Sequence, residues 1–256
     1  LRHGDVLDVE EYHDGNYGGK GKTRQKKEKP TKEQVRLINR RNKARLCRWR
    51  LIQYFDQGDL FITWTYATEN RPPDMEGALK DFQKAMAKVR KIYRLRGAPI
   101  YWIRNIERGT KGAWHIHLAI KQTPEGDAAA IVTKAWTKGG TYVAEIRHSK
   151  FTGDDMEQLA DYLTKDKHTA EIKADGTPGK PRIAESSYNT SRNMPLPEPR
   201  TDKLVRWKPE VKPPKGYYIA RIHEGINPVT GFLYRSYTLI RLKCTERKRP
   251  SGRRRC

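Results

Sequence analysis

Trp114-His115-Ile116-His117-Leu118-Ala119-Ile120 reads as a β-strand, and its alternation orders the rest of the chain. Residues i and i+2 of a strand share a face. Trp114, Ile116 and Leu118 therefore turn one way, toward covering helices, while His115 and His117 project together from the other side. Arg108-Gly109-Thr110-Lys111-Gly112 is a turn, and Tyr101-Trp102-Ile103-Arg104-Asn105-Ile106-Glu107 is the strand before it. A turn centred on Lys111 sets Glu107 opposite His115 and Asn105 opposite His117, so Glu107 shares the histidine face.

Phe61-Ile62-Thr63-Trp64-Thr65-Tyr66 is β-branched and aromatic, and reads as an earlier strand. Met75 to Leu95 carries Leu79, Phe82, Met86, Val89 and Tyr93 at helical spacing, and Gly97-Ala98-Pro99 ends it. Asp127 to Trp136 is a short helix. Gly139-Gly140 leads into a strand from Tyr142 to Arg147, and Asp154 to Lys167 is a further helix. The order β-α-β-β-α-β-α predicts an α+β fold, a ferredoxin-like or RRM-like antiparallel sheet with helices on one face.

Outside that core, residues 1–30 read as a flexible basic arm. Residues 31–56 read as a basic helix opened by a capping box, Thr31-Lys32-Glu33-Gln34. Residues 169–215 form a Pro/Lys-rich irregular connection. Residues 216–243 form a β-hairpin extension around Asn227-Pro228-Val229-Thr230-Gly231, which either adds to the sheet or stands as an accessory unit. Residues 244–256 are a basic tail. Gly18-Gly19-Lys20-Gly21-Lys22-Thr23 looks like a phosphate-binding loop. It has Asn16 where the first glycine belongs and no apolar strand before it, so a glycine-lysine linker is expected.

The formal net charge is +23, which marks a surface that attracts polyanions, nucleic acid first among them. No apolar run reaches the ~20 residues of a membrane span. The three cysteines, Cys47, Cys244 and Cys256, form neither a zinc pair nor a disulfide framework. With no secretory signal in the opening residues, a reducing compartment is expected.

Two imidazoles and a carboxylate on one sheet face make a mixed donor set with open positions. Such a set suits Mg²⁺ or Mn²⁺ engaged with phosphate better than a closed structural zinc site. Glu107, His115 and His117 are the candidate ligands; the plainer reading is two histidines with ordinary hydrogen bonds on a half-exposed strand. On the helix Met156-Glu157-Gln158-Leu159-Ala160-Asp161-Tyr162-Leu163-Thr164-Lys165, Tyr162 flanks the apolar face and Lys165 lies one turn on. A phenol with a pKa of ~10 is a poor nucleophile. A cation on the phosphate and a nearby ammonium make its attack feasible. With 13 tyrosines in the chain, the ordinary reading of any one is a surface or edge residue. The Tyr-x-x-Lys helix after a His-x-His strand singles out Tyr162. Asp166 is a weaker candidate as ligand or proton acceptor.

These motifs, in this order, resemble the HUH endonucleases, and most closely the single-tyrosine rolling-circle replication initiators of plasmids and single-stranded DNA phages. Phe61 to Tyr66 looks like the family's first motif. Glu107 with His115-Ile116-His117 looks like the second, and Tyr162-Leu163-Thr164-Lys165 the third. The likeness covers about residues 60 to 168, so the endonuclease core is expected over 57–168. Relaxases of the superfamily place the tyrosine before the histidines; here it follows. The resemblance implies Tyr162 as nucleophile with Lys165 beside it, and Mg²⁺ or Mn²⁺ on Glu107, His115 and His117. It implies single-stranded DNA or an origin hairpin as substrate, a 5′-phosphotyrosine intermediate, a host helicase and polymerase as partners, and the cytoplasm of a prokaryotic host. Thr63, Thr65, Arg104, Arg40, Arg41, Arg45 and Arg48 are the candidate DNA contacts. An HUH-type transposase is one alternative. A non-catalytic RRM-like nucleic-acid-binding protein is another; it accounts for charge and fold but not for the conjunction of Glu107, His115, His117 and Tyr162.

Overall fold

A computed structural model describes residues 1–12, 29–109, 112–146, 156–165, 188–203, 207–226 and 232–242. In chain order its elements are β1 Arg2–His3, β2 Val6–Tyr12, α1 Lys32–Tyr54, β3 Leu60–Thr65, α2 Met75–Leu95, β4 Trp102–Arg108, β5 Trp114–Ile120, α3 Ala128–Ala135, β6 Thr141–Glu145, α4 Glu157–Thr164, β7 Tyr188–Thr190, β8 Tyr217–Ile226 and β9 Leu233–Arg241. The chain divides into two compact units. One is Pro30–Pro197; the other joins Leu1–Lys29 to Glu198–Cys256.

The larger unit is built on an antiparallel sheet of order β6-β3-β5-β4-β7. Its first four strands follow the ferredoxin-like arrangement, with α2 and α3 as the crossovers. Strand parity explains the burial. Leu60, Ile62 and Trp64 of β3, Trp114, Ile116, Leu118 and Ile120 of β5, and Trp102 and Ile106 of β4 share one core with Phe82, Met86 and Val89 of α2 and Ile131 and Val132 of α3. Trp64 stacks on Trp136 with ring centroids 4.9 Å apart and planes 3° from parallel. Trp64, Tyr66, Trp102 and Trp114 are all buried, so they pack the core and are not platforms for bases. Trp64→Ala is expected to destabilise this unit by roughly 3–5 kcal/mol through the cavity it leaves, read as a lowered urea midpoint with an unchanged slope.

The other face is not open, which corrects the expectation of helices on one side only. Ile103 and Ala119 form a second core with Cys47, Leu51 and Phe55 of α1, and with Ala160 and Leu163 of α4. These strand positions are apolar on the histidine side as well, and left bare they would expose a hydrophobic strip to water. The capping box at Thr31 is present in both directions: Gln34 N donates to Thr31 Oγ1 at 3.2 Å, and Thr31 N donates to Gln34 Oε1 at 2.8 Å. Buried residues of α1 begin only at Cys47; before that the helix is largely exposed and basic.

Asp59 locks the edge of the sheet. Its carboxylate takes Gln122 N at 2.8 Å and Lys121 Nζ at 3.0 Å, tying the start of β3 to the end of β5. At Gly139 the chain passes so close that a Cβ would lie 2.3 Å from the carbonyl oxygen of Thr65. Only glycine lets β6 come alongside β3 there. β7 occupies residues read as irregular connection; it pairs with β4 through Ile103, Arg104 and Asn105.

The smaller unit is a sheet of order β1-β2-β9-β8. β8 and β9 form the expected hairpin, here in an accessory unit rather than on the core sheet. Residues 1–12 depart from the flexible-arm reading, because β2 pairs along its whole length with β9. Leu7 and Val9 share a face with Leu239 and Tyr237, while Thr238 Oγ1 donates to Asp8 Oδ1 at 2.6 Å. Arg235 is buried, paired with Glu11 and with its guanidinium 4.6 Å from the Trp207 ring. The glycine-lysine linker, Lys111, Asp166, the 227–231 turn and the basic tail lie outside the described residues.

Candidate active site

The register of β4, β5 and β3 agrees with the hairpin expected from sequence. Glu107 pairs with His115, which pairs with Thr65; Asn105 pairs with His117, which pairs with Thr63. All six side chains belong to the face covered by α1 and α4. Gly109 N donates to the Ala113 carbonyl at 2.7 Å and closes the hairpin. A Cβ at Gly109 would stand 3.1 Å from His115 Nε2, so the missing side chain leaves room for that ring.

His117 is the hub. Its Nε2 lies 2.8 Å from Glu107 Oε1, a diagonal contact across the ladder, and 3.0 Å from the Tyr162 hydroxyl. Its Nδ1 lies 3.0 Å from Thr63 Oγ1. The Phe61 ring stacks parallel to it at 5.9 Å, and Tyr162 meets Phe61 edge-on at 5.8 Å. Lys165, just past the end of α4, places Nζ 2.9 Å from Glu107 Oε2 and 3.8 Å from the centroid of the Tyr162 ring.

Proton positions follow from this geometry. Burial alone would raise the Glu107 pKa, but the bonds from His117 and Lys165 outweigh it and hold the carboxyl at about 2. An ionised carboxylate only accepts, so Nε2 of His117 carries the hydrogen that faces Glu107. Thr63, whose hydroxyl both donates and accepts, then donates to Nδ1 when the ring is neutral. Burial and the neighbouring His117 lower the His115 pKa. Burial and the charge of Glu107 raise that of Tyr162, with Lys165 opposing them. Tyr162 is therefore a phenol at neutral pH, beside an ammonium that stabilises its oxyanion. Thr63→Val keeps the shape and removes the hydroxyl. The ¹⁵N chemical shifts of the His117 ring are expected to move to those of an imidazole with no partner at Nδ1, with stability changed by about 1 kcal/mol.

Glu107, His115, His117, Tyr162 and Lys165 thus come together as read from sequence, and Thr63 joins them as a support for His117. Thr65 is turned to the Gly140 carbonyl at 3.3 Å. Two of the expected DNA contacts are elsewhere. Arg104 has the parity of Trp102 and Ile106; it is buried under α2 with its guanidinium 5.1 Å from the Phe82 ring, on the sheet face away from the histidines. Arg48 is buried where α1 meets the sheet. Arg40, Arg41 and Arg45 are exposed on α1. Phe61 and Asn105 share the site's face, yet the sequence reading does not single them out. Phe61 has the parity of Thr63, and that is the available signal. Tyr142 is exposed on edge strand β6, and Tyr188 is buried beside Cys47. Among the described tyrosines, Tyr162 is the one whose hydroxyl reaches His117.

Among the described residues no three His, Cys, Asp or Glu side chains converge as they stand on a single ion position. Neighbouring ligand atoms of an ion with bonds of ~2.1 Å are about 3 Å apart, and Glu107 Oε1 and His117 Nε2 stand 2.8 Å apart. His115 is next to them, its ring centroid 6.4 Å from that of His117. Among the described residues no helix is long and apolar enough to cross a membrane.

Known proteins were compared with the chain in three ways. No curated protein and no solved structure matches it. The family model described as replication-associated protein ORF2 matches residues 59–167, less than half of the chain, from the start of β3 past the end of α4. That span holds all five clustered polar side chains, and the match supports a role in DNA replication as an initiator.

Proposed function

We propose that this protein is a rolling-circle replication initiator that nicks and rejoins single-stranded DNA at an origin through a 5′-phosphotyrosine on Tyr162. The observation that carries the reading is the single cluster of Tyr162, Lys165, Glu107 and His117, in which a phenol ring lies 3.8 Å from an ammonium and its hydroxyl 3.0 Å from a carboxylate-bound imidazole. Core packing does not call for that combination, whereas phosphoryl transfer to a phenol does.

Tyr162 supplies the attacking oxygen. Its proton leaves to solvent from the half-buried ring, and Lys165 stabilises the oxyanion. The new bond joins the phenol oxygen to phosphorus, the P–O3′ bond breaks, and the released 3′-oxygen takes up a proton to become a primer end. Reversal by another 3′-hydroxyl reseals a strand, because the phosphotyrosine keeps the phosphodiester's free energy. The donor set fits a hard divalent ion. Glu107 and His117, which now share a proton, are the pair that would share Mg²⁺ or Mn²⁺, with His115 as third ligand. When bound, such an ion would polarise the scissile phosphate as a Lewis acid. Thr63 then takes the opposite role at Nδ1, accepting its hydrogen and keeping Nε2 free for the ion. The exposed Arg40, Arg41 and Arg45 of α1 serve as phosphate contacts for the origin DNA. A helicase and a polymerase of the host extend the reaction.

The test is a denaturing gel with labelled single-stranded DNA and candidate origin hairpins, run in Mn²⁺ and in EDTA. A protein–DNA adduct that survives denaturation and needs the metal supports the nickase. Tight binding with no cleavage and no adduct on any substrate or metal transfers the protein to the binding-module class.

A further inference from the structure

Asn105 is the polar residue of the sheet that its surroundings do not explain. It is fully buried, and neither its amide oxygen nor its amide nitrogen has a hydrogen-bond partner. On β4 it follows Ile103, whose side chain enters the core beneath α1 and α4. In register it lies between His117 of β5 and Tyr188 of β7, two residues before Glu107 on the same face. A buried amide without partners costs about 1–3 kcal/mol, and native proteins retain few such groups. An aliphatic residue of this size would fill the place more stably. The amide is therefore kept for a partner of polar chemistry that comes to this spot, and the nearest polar groups are those of His117 and Glu107.

We propose that Asn105 is a further oxygen donor of the ion site, its amide oxygen reaching the cation directly or through one bound water. The proposal rests on the ion reading given above and extends it. Glu107 and Asn105 then supply one anionic and one neutral oxygen, and His115 and His117 two nitrogens. Hard Mg²⁺ and Mn²⁺ favour additional oxygen donors, whereas Zn²⁺ is satisfied by nitrogen, sulfur and a lower coordination number. Asn105 thus tilts the site toward the ions used with phosphates. Its amide nitrogen, a donor, would point away from the cation toward solvent-derived or substrate oxygen.

The experiment uses the full chain and does not depend on activity. Mn²⁺ is titrated into the wild type, Asn105→Leu and Asn105→Asp, with free Mn²⁺ followed by electron paramagnetic resonance and melting temperature recorded with and without MnCl₂. Zn²⁺ competition gives the preference. Asn105→Leu is expected to melt no lower than the wild type without metal, since it removes an unpartnered buried amide. It is also expected to bind Mn²⁺ roughly 10-fold or more weakly and to lose most of its preference over Zn²⁺. Asn105→Asp, which keeps an oxygen donor, is expected to bind Mn²⁺ at least as tightly as the wild type. Equal Mn²⁺ affinity in Asn105→Leu and the wild type overturns this proposal and leaves the ion site standing. A lower metal-free melting temperature for Asn105→Leu overturns it too, by showing that the amide already has a structural partner. If the wild type binds no Mn²⁺ at all, the ion reading itself falls and this inference with it.

Discussion

Tyr162→Phe is expected to eliminate the covalent protein–DNA adduct and to reduce nicking by roughly 10⁴-fold or more, because no other oxygen takes the place of a lost nucleophile. The substitution removes one atom from a half-buried ring. The edge-on contact with Phe61 remains, as does the packing of Leu163 and Ala160 beneath the helix, so the melting temperature should stay close to that of the parent. His117 keeps its bonds to Glu107 and Thr63. DNA affinity measured by anisotropy should therefore be retained while the adduct vanishes. An adduct that persists in Tyr162→Phe would move the nucleophile to another tyrosine and sink the assignment, although not the reaction class.

His117→Ala is expected to have the second-largest effect, a loss of roughly 10²–10⁴-fold in nicking. The reason is its position at the centre of the cluster rather than at one edge. Its ring contacts Glu107, Thr63, Tyr162 and Phe61 at once. Without it, Glu107 is left with Lys165 alone, and the ammonium is drawn further from the phenol it should stabilise. Tyr162 also loses the group that orients its hydroxyl. The variant should bind DNA about as well as the parent and form adduct slowly even at high Mn²⁺. Rates equal to the parent's would mean that the imidazole is scenery.

The parts of the molecule legible in sequence are those governed by local periodicity. α2 is expected from Met75 to Leu95 and occupies those residues, because its apolar positions recur at helical spacing and Gly97, at φ of +64°, stops it. The hairpin register follows from one turn and the period of two, so sequence alone sets Glu107, His115 and His117 together. What escapes depends on partners far along the chain. β2 is short and half acidic; it becomes a strand because β9, more than 220 residues later, receives Glu11 on Arg235 and Tyr237. β7 is three residues long and exists only as an addition to β4. The link from Lys165 to Glu107 spans 58 residues in sequence and has no local signature. Arg104 is a different kind of miss. Its parity opposes that of Glu107 and is readable, but a positive charge on a basic protein reads first as a phosphate contact.

The smaller sheet is closed by strands from either side of the larger unit, with the whole of Pro30–Pro197 between them. Synthesis delivers β2 before that unit and β9 after it, so β2 must wait on the ribosome's timescale while the larger unit emerges and folds. At about 5–20 residues per second that delay is on the order of tens of seconds. The strand pairing that defines the smaller unit is thereby a signal that translation has passed β9: a chain cut short after α4 carries the nicking cluster, yet its β2 has no β9 to join.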